Sequence, residues 1–242
     1  MIDFFYAPTP NGWKVAILLE ELGLDYKTHL IRLAEGDQLK PEFMAISPNA
    51  KIPAIVDHEP LASFGTDPIS VFESGAIMQY LADKTGRFIP TNPFGRKEAM
   101  EWLFWQVSNQ GPMAGQLSHF VNYAPQDNQD YGQKRYSGEY ERNLAVLEKR
   151  LEGRTYILDE YSICDMIAFP WVFIAKPLTV SLDRFLNVAE WRGRIKQRAA
   201  VINAINLCKA DQNRGKINVS NNKVLFNQSA DHILGSEDKG LT

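Results

Sequence analysis

MIDFFYAPTPNGWKVAILLEELG, residues 1–23, is the stretch whose reading decides the fold. Ile2 to Tyr6 is a short apolar and aromatic run, the pattern of a strand. It stops at Pro8 and Pro10, whose rings fix φ near about −65° and hold Thr9 between them. Asn11-Gly12 then leads into a helix: Val15, Leu18, Leu19 and Leu22 recur at helical spacing, and Gly23 supplies the stop. A strand, a stiff turn and a helix in that order open an alternating α/β segment. The turn would hold the polar side chains of Thr9 and Asn11 in fixed directions at the mouth of a helix.

The alternation continues outward. Tyr26–Leu33 predicts a second strand, and residues 37–51 an irregular stretch with one helical turn. Ile52–His58 and Pro68–Phe72 predict two short strands joined by a hairpin loop over 59–68. Glu73–Thr85 predicts a helix closed by Gly86. The segment RFIPTNPFG, residues 87–95, has two prolines and a glycine and marks a boundary. Beyond it the chain reads as helical: an aromatic-rich region from Arg96, then Tyr131–Gly153 with Leu144, Leu147 and Leu151 on one stripe. Residues 162–176 are apolar nearly all round, as in a buried helix, and 186–205 predict one more. Residues 209–242 are polar and Asn-rich, a tail that wraps over the body or stays mobile.

Composition narrows the function. With 45% hydrophobic and 23% charged residues the chain has the profile of a soluble globular protein. A net charge of −3 gives no basic footprint for nucleic acid. No apolar run is long enough to span a bilayer, and the first residues lack the order of a secretory leader, so a cytoplasmic protein is expected. Cys164 and Cys208 form no Cys-x-x-Cys pair, so no protein dithiol is written here. His29, His58, His119 and His232 have no metal-ligand spacing, and no metal is expected. Asn218-Val-Ser and Asn227-Gln-Ser read as chance glycosylation triplets.

Three further motifs interlock with the opening turn. Ile52-Pro53 places a proline where a strand begins, which suits a cis bond that turns the Ile52 backbone outward. Glu73-Ser74 stands at a helix mouth, where a serine hydroxyl and free N–H groups hold a carboxylate and the glutamate holds an ammonium. Together they would grip an amino-acid head group. Ser162 and Asp165 form a capping box.

This combination resembles the glutathione transferase superfamily. The segments APTPNGWKVAILLEELGLDY, PEFMAISPNAKIPAIVDH, FESGAIMQYLA and WLFWQVSNQGPMAGQLSHF look like the bacterial Nu class, whose relatives include fungal proteins similar to a yeast nitrogen regulator. The resemblance runs from Met1 to about Lys209. It implies a thioredoxin-like domain over residues 1–87, an all-helical domain over 96–208, and a tail, 209–242, outside the family pattern. It implies glutathione, reduced or oxidised, as co-substrate, a small disulfide or electrophile as second substrate, and a homodimer. By this resemblance Thr9 and Asn11 point at the sulfur, Gln38 and Lys51 hold the glycyl end, and Ile52, before cis Pro53, pairs with the cysteinyl backbone. Glu73 and Ser74 hold the γ-glutamyl end, and Arg135 reaches across the dimer interface. The implied reaction is disulfide reduction. Conjugation or peroxide reduction, and a non-catalytic regulatory role, stay open as alternatives. Tyr6 is the rival to Thr9, and Asn11 could equally be a helix cap. Met113, Gln116 and Phe120 are candidates for the second-substrate pocket, with Pro112 kinking their helix, whereas Trp102, Trp105 and Trp171 read as core.

Overall fold

The computed structural model describes residues 1–125, 127, 129–209, 222–226 and 229–234. They gather into two compact units. One holds residues 1–8, 25–73 and the described part of 208–242; the other holds 9–24 and 74–207. The two Asn-x-Ser triplets begin outside the described residues.

The first unit is built on a four-stranded sheet in the order β2-β1-β3-β4, with β1 Ile2–Tyr6, β2 Tyr26–Leu30, β3 Ala54–Asp57 and β4 Ile69–Phe72. β1 and β2 run parallel, with Phe4 opposite Thr28; β1–β3 and β3–β4 run antiparallel, with Ile55 opposite both Phe4 and Val71. A parallel pair needs a crossover, and the helical stretch between residues 6 and 26 supplies it. Ile31, Phe43 and Ala54 form a small core, joined by the partly buried Phe5, Leu33, Ile46 and Ile52. The irregular stretch holds 3-10 turns at Leu33–Glu35 and Asp37–Leu39 and the short helix α2, Pro41–Met44.

The second unit is helical. α1 (Pro10–Leu22) packs against α3 (Ser74–Thr85), α7 (Ile163–Phe173) and α9 (Ala199–Asn206). Gly23 and Gly86 end α1 and α3 in the left-handed conformation that glycine adopts freely. α7 is buried along its whole length as far as Val172. Its capping box is formed: Cys164 N–H donates to Ser162 Oγ, and Ser162 N–H donates to Asp165 Oδ2 at 3.0 Å. Asp165 also accepts from Trp191 Nε1 at 2.8 Å and from the Ile157 amide. α4 (Pro93–Trp105) passes through a π-helical turn, Gln106–Gln110, into α5 (Gly111–Asn122), and α6 runs over Gln129–Leu151.

Three expectations need correction. The predicted helix over 186–205 is two, α8 (Leu186–Lys196) and α9, because Arg198 is extended (φ −68°, ψ 134°). Its guanidinium there lies over the Tyr161 ring and makes a two-pronged pair with Glu21. The irregularity in the aromatic region is a π turn that begins ahead of Pro112, and the backbone stays helical from Trp105 through Gln110 into α5. Trp102 and Trp105 are half-buried, stacked edge to face with Arg150 over Trp102, and do not belong to the core.

In the described part of the tail, two short helices follow, α10 (Asn222–Phe226) and α11 (Asp231–Leu234). α10 packs on the 33–35 turn, and Val224 lies where a Cβ on Gly36 would come within 3.5 Å of it.

Candidate active site

The residues singled out by sequence fall into both units, and each group has its own geometry. In the helical unit, Thr9 is the N-cap of α1. Its backbone is extended and its hydroxyl oxygen accepts the Gly12 amide at 3.2 Å. The cap therefore belongs to Thr9; Asn11, weighed above as a cap, lies one residue inside the helix. A threonine hydroxyl has one proton to give. Accepting from Gly12 leaves that proton available for donation.

Asn11 is held from a distance of 160 residues along the chain. The Trp171 indole N–H donates to Asn11 Oδ1 at 3.1 Å. An indole N–H can only donate, so the contact fixes which end of the amide is oxygen. The Asn11 NH2 is left available as a donor. Two donors, one hydroxyl and one amide, thus share one turn at the positive end of a helix dipole. Tyr6, the rival candidate, is fully buried.

Trp171 is the residue that sequence reading undervalued. The signal was present: a tryptophan in a buried helix needs a partner for its N–H. Around the same turn lies polar chemistry that the sequence did not announce. Lys14, one turn on from Asn11, is 3% exposed, and its Nζ is 3.6 Å from where a Cβ on Gly111 would stand. Gln106, in the π turn, is fully buried with neither amide atom partnered among the described residues. Gln110 donates to the Ala168 carbonyl at 3.2 Å. π turns recur at functional sites. Ser74, at the first position of α3, is buried, and Gly75 beside it would bring a Cβ within 3.1 Å of Val107 in the π turn.

In the sheet unit, the Ile52–Pro53 bond is cis. The Lys51 carbonyl is held by Ser47 Oγ at 2.9 Å, leaving the Lys51 side chain exposed. Gln38 is 2% exposed, and neither its Nε2 nor its Oε1 has a partner among the described residues. Buried amides are nearly always satisfied, so such a group marks a place built for a polar ligand or water. Glu73 has φ +67°, a left-handed conformation that costs a non-glycine residue about 1–2 kcal/mol. Asn49 Nδ2 donates to its carboxylate at 3.3 Å. Strain of this kind concentrates at binding sites.

Arg135 stands on α6, exposed, with its guanidinium 3.1 Å from Glu139. Arg142 and then Arg135 hold the Glu139 carboxyl below its usual range. Of the pocket candidates on α5, Met113 is half-buried and Gln116 exposed, while the Phe120 ring stacks on Tyr136 of α6.

The Cys164 thiol is unsuited to nucleophilic work. Burial pushes the Cys164 thiol up to about 12, and its Sγ donates to the Ala99 carbonyl. Cys208 is half-buried and forms no disulfide. Among the described residues no cluster of His, Cys, Asp and Glu could hold a metal ion, and no helix is long and apolar enough to cross a membrane.

The family of the glutathione S-transferase N-terminal domain matches residues 9–84. The chain is 46% identical over 206 residues to the disulfide-bond oxidoreductase YfcG of Escherichia coli, covering 85% of this chain and 94% of that protein. A glutathione transferase from Burkholderia graminis, solved with two glutathione molecules per subunit, is 44% identical, with a TM-score of 0.81 over 86% of this chain and 88% of that one. One from Pseudomonas putida, solved with one glutathione disulfide per subunit, is 38% identical, with a TM-score of 0.81 over 86% and 91%. A thioredoxin-like sheet, an all-helical part and identity sustained over almost the whole of YfcG lead to one conclusion: the chain belongs to the glutathione transferase family.

Proposed function

We propose that this protein is a glutathione-dependent disulfide reductase that uses the thiols of two glutathione molecules in place of protein cysteines. The observation that carries the reading is the donor polarity of the opening turn: Gly12 donates to the Thr9 oxygen and Trp171 to the Asn11 oxygen, so each side chain keeps its own hydrogens available to donate. A thiolate is an acceptor, and two donors at a helix N-terminus suit it. The relatives solved with two glutathiones or with glutathione disulfide support the same chemistry.

The energetics are sufficient. A free thiol with a pKa of about 8.5 is roughly 3% ionised at pH 7, and the thiolate is the nucleophile. Lowering that pKa by about 1.5–2 units takes about 2–3 kcal/mol. One charge-assisted hydrogen bond contributes roughly 1.5–3 kcal/mol, so Thr9 and Asn11 together are enough. The thiolate attacks one sulfur of a disulfide, forming a new S–S bond as the old one breaks and the departing thiolate takes up a proton. A second glutathione thiolate repeats the exchange on the mixed disulfide. The balance is two glutathiones and one disulfide in, one glutathione disulfide and two thiols out.

In this reading Gln38 and Lys51 hold the glycyl end. Ile52 presents its backbone to the cysteinyl residue ahead of cis Pro53, Glu73 takes the ammonium, and Ser74 takes the γ-glutamyl carboxylate. The unsatisfied Gln38 amide and the strained Glu73 backbone support that assignment. The protein works in the cytoplasm as a homodimer, with Arg135 serving the partner's site; sedimentation would read its mass directly.

The test is turnover with glutathione, comparing bis(2-hydroxyethyl) disulfide with a chloronitrobenzene. Fast reduction, slow conjugation and losses of about a hundredfold in Thr9→Ala and Asn11→Ala are expected. Dominant conjugation that collapses in Tyr6→Phe would make it a tyrosine-type transferase. Glutathione binding without either reaction would move the protein to the regulatory class.

A further inference from the structure

The tail has no role in the reaction derived above, yet its described part belongs to the same compact unit as Gln38. α10, Asn222–Phe226, has five residues, too few to hold a helix by itself in water. Packing holds it. It lies on the 3-10 turn Leu33–Glu35, and the half-buried Val224 has Cγ1 3.5 Å from where a Cβ on Gly36 would stand.

The seat of α10 and the segment that bears Gln38 are one hydrogen-bonded piece. The Arg32 amide donates to Asp37 Oδ2 at 2.9 Å, and the Asp37 amide donates back to the Arg32 carbonyl at 3.4 Å, which closes the chain around residues 33–36. The Leu39 amide then donates to the Gly36 carbonyl at 2.9 Å, and the Lys40 ammonium pairs with Asp37 at 2.6 Å. Gln38 sits inside this second turn, Asp37–Leu39, and Leu33 of the first packs against Ile31, Phe43 and Ala54. Residues 33–36 therefore cannot shift without moving the backbone that carries Gln38. 3-10 turns have poor hydrogen-bond geometry and are used only in short pieces, so apolar packing from outside steadies them. A group already held still loses less entropy when a ligand fixes it. Docking of the tail and binding at Gln38 then favour each other, by the same factor in both directions.

We propose that α10 is a strap that steadies the glycyl end of the glutathione site, with Val224 as its positioning residue. The docked tail holds the turn from which Gln38 meets the glycyl carboxylate, and a bound carboxylate holds the tail down in return. The proposal rests on the assignment of Gln38 given above and adds the tail to it as a control on glutathione affinity. No bond is made or broken in this coupling.

The experiment measures equilibrium binding of glutathione, and of γ-glutamylcysteine, which lacks the glycyl residue, to full-length wild type, Val224→Ile and Val224→Asp. Hydrogen exchange over residues 222–226 and 32–40 is followed with and without glutathione, and turnover of bis(2-hydroxyethyl) disulfide is measured beside it. In Val224→Asp, Kd and KM for glutathione should rise about fivefold to tenfold, with kcat at saturating glutathione and the affinity for γ-glutamylcysteine unchanged. Val224→Ile should behave as wild type. Glutathione should slow exchange in both segments of wild type, and only over 32–40 in Val224→Asp. An equal loss of both ligands would be general damage and would overturn the proposal. So would a glutathione affinity indifferent to Val224, or exchange over 222–226 that glutathione leaves unchanged. The two readings fail separately. Glutathione binding that depends on Val224, without turnover, removes the reductase and keeps the strap. Turnover with no dependence on Val224 removes the strap and keeps the reductase. Wild type that binds no glutathione removes both.

Discussion

In the proposed reaction Asn11 serves as a donor of fixed direction because Trp171 holds its amide. Trp171→Phe removes the donor that holds it while keeping an aromatic ring in place. We expect kcat/KM for disulfide reduction to fall about tenfold, with the bound thiol titrating at higher pH than in wild type, read by thiolate absorbance. Glu73→Gly separates strain from function. Glycine adopts the left-handed backbone at no steric cost, so thermal stability should hold or rise, while KM for glutathione should rise about tenfold as the ammonium loses its carboxylate. How much of this was legible depends on distance along the chain. Thr9, Ile52-Pro53 and Glu73-Ser74 are local motifs whose chemistry is written in adjacent letters. Trp171 was not legible as a positioning residue, because nothing in an apolar helix says where its N–H will point. Gln38 shows the opposite case: an ordinary surface residue by composition, it is buried because the chain around it folds onto Ile31, Phe43 and Ala54.

At the scale of elements, apolar periodicity located the strands and helices, and the errors fall where side chains override it. The pattern over 186–205 runs unbroken through residues 197–198, yet the helix stops so that Arg198 can meet Glu21 and Tyr161. The π turn likewise has no periodic signature over five residues. Close packing is equally silent in the sequence until a glycine is asked why it is there. Gly132 of α6 lies against Phe120 of α5 so tightly that a Cβ would come to 2.3 Å from the ring. Gly132→Ala should therefore destabilise the protein by about 1–2 kcal/mol in urea denaturation, despite the better helix propensity of alanine. A stabilised variant would mean that α5 and α6 separate readily.

For the molecule as a whole, acid sensitivity should trace in part to the strand that begins it. Asp3 accepts from His58 and His29, each at 2.7 Å, and these bonds, His58 first, hold its carboxyl below the usual 3.8. A depressed carboxylate contributes stability that is present above its unfolded pKa and is lost as pH falls through the folded one. Asp3→Asn should thus be less stable than wild type at pH 6, and the gap should close as both are taken below about pH 3–4, in unfolding curves compared across pH.

The chain passes between its two compact units at residues 8–9, 24–25, 73–74 and 207–208, so α1 and α3 sit with the later helices although the strands flanking them do not. The buried face of α1 is covered by α7 and α9, which are encoded more than 140 residues downstream. A fragment ending in the 87–95 linker would carry α1 with most of that face bare. Expressed alone, residues 1–87 should be insoluble or aggregated, and soluble material should appear when 88–242 is co-expressed as a separate polypeptide. On that expectation the gene does not divide into two self-sufficient pieces at its most obvious seam, and a nascent chain leaving the ribosome waits for its last third before α7 and α9 cover its first helix.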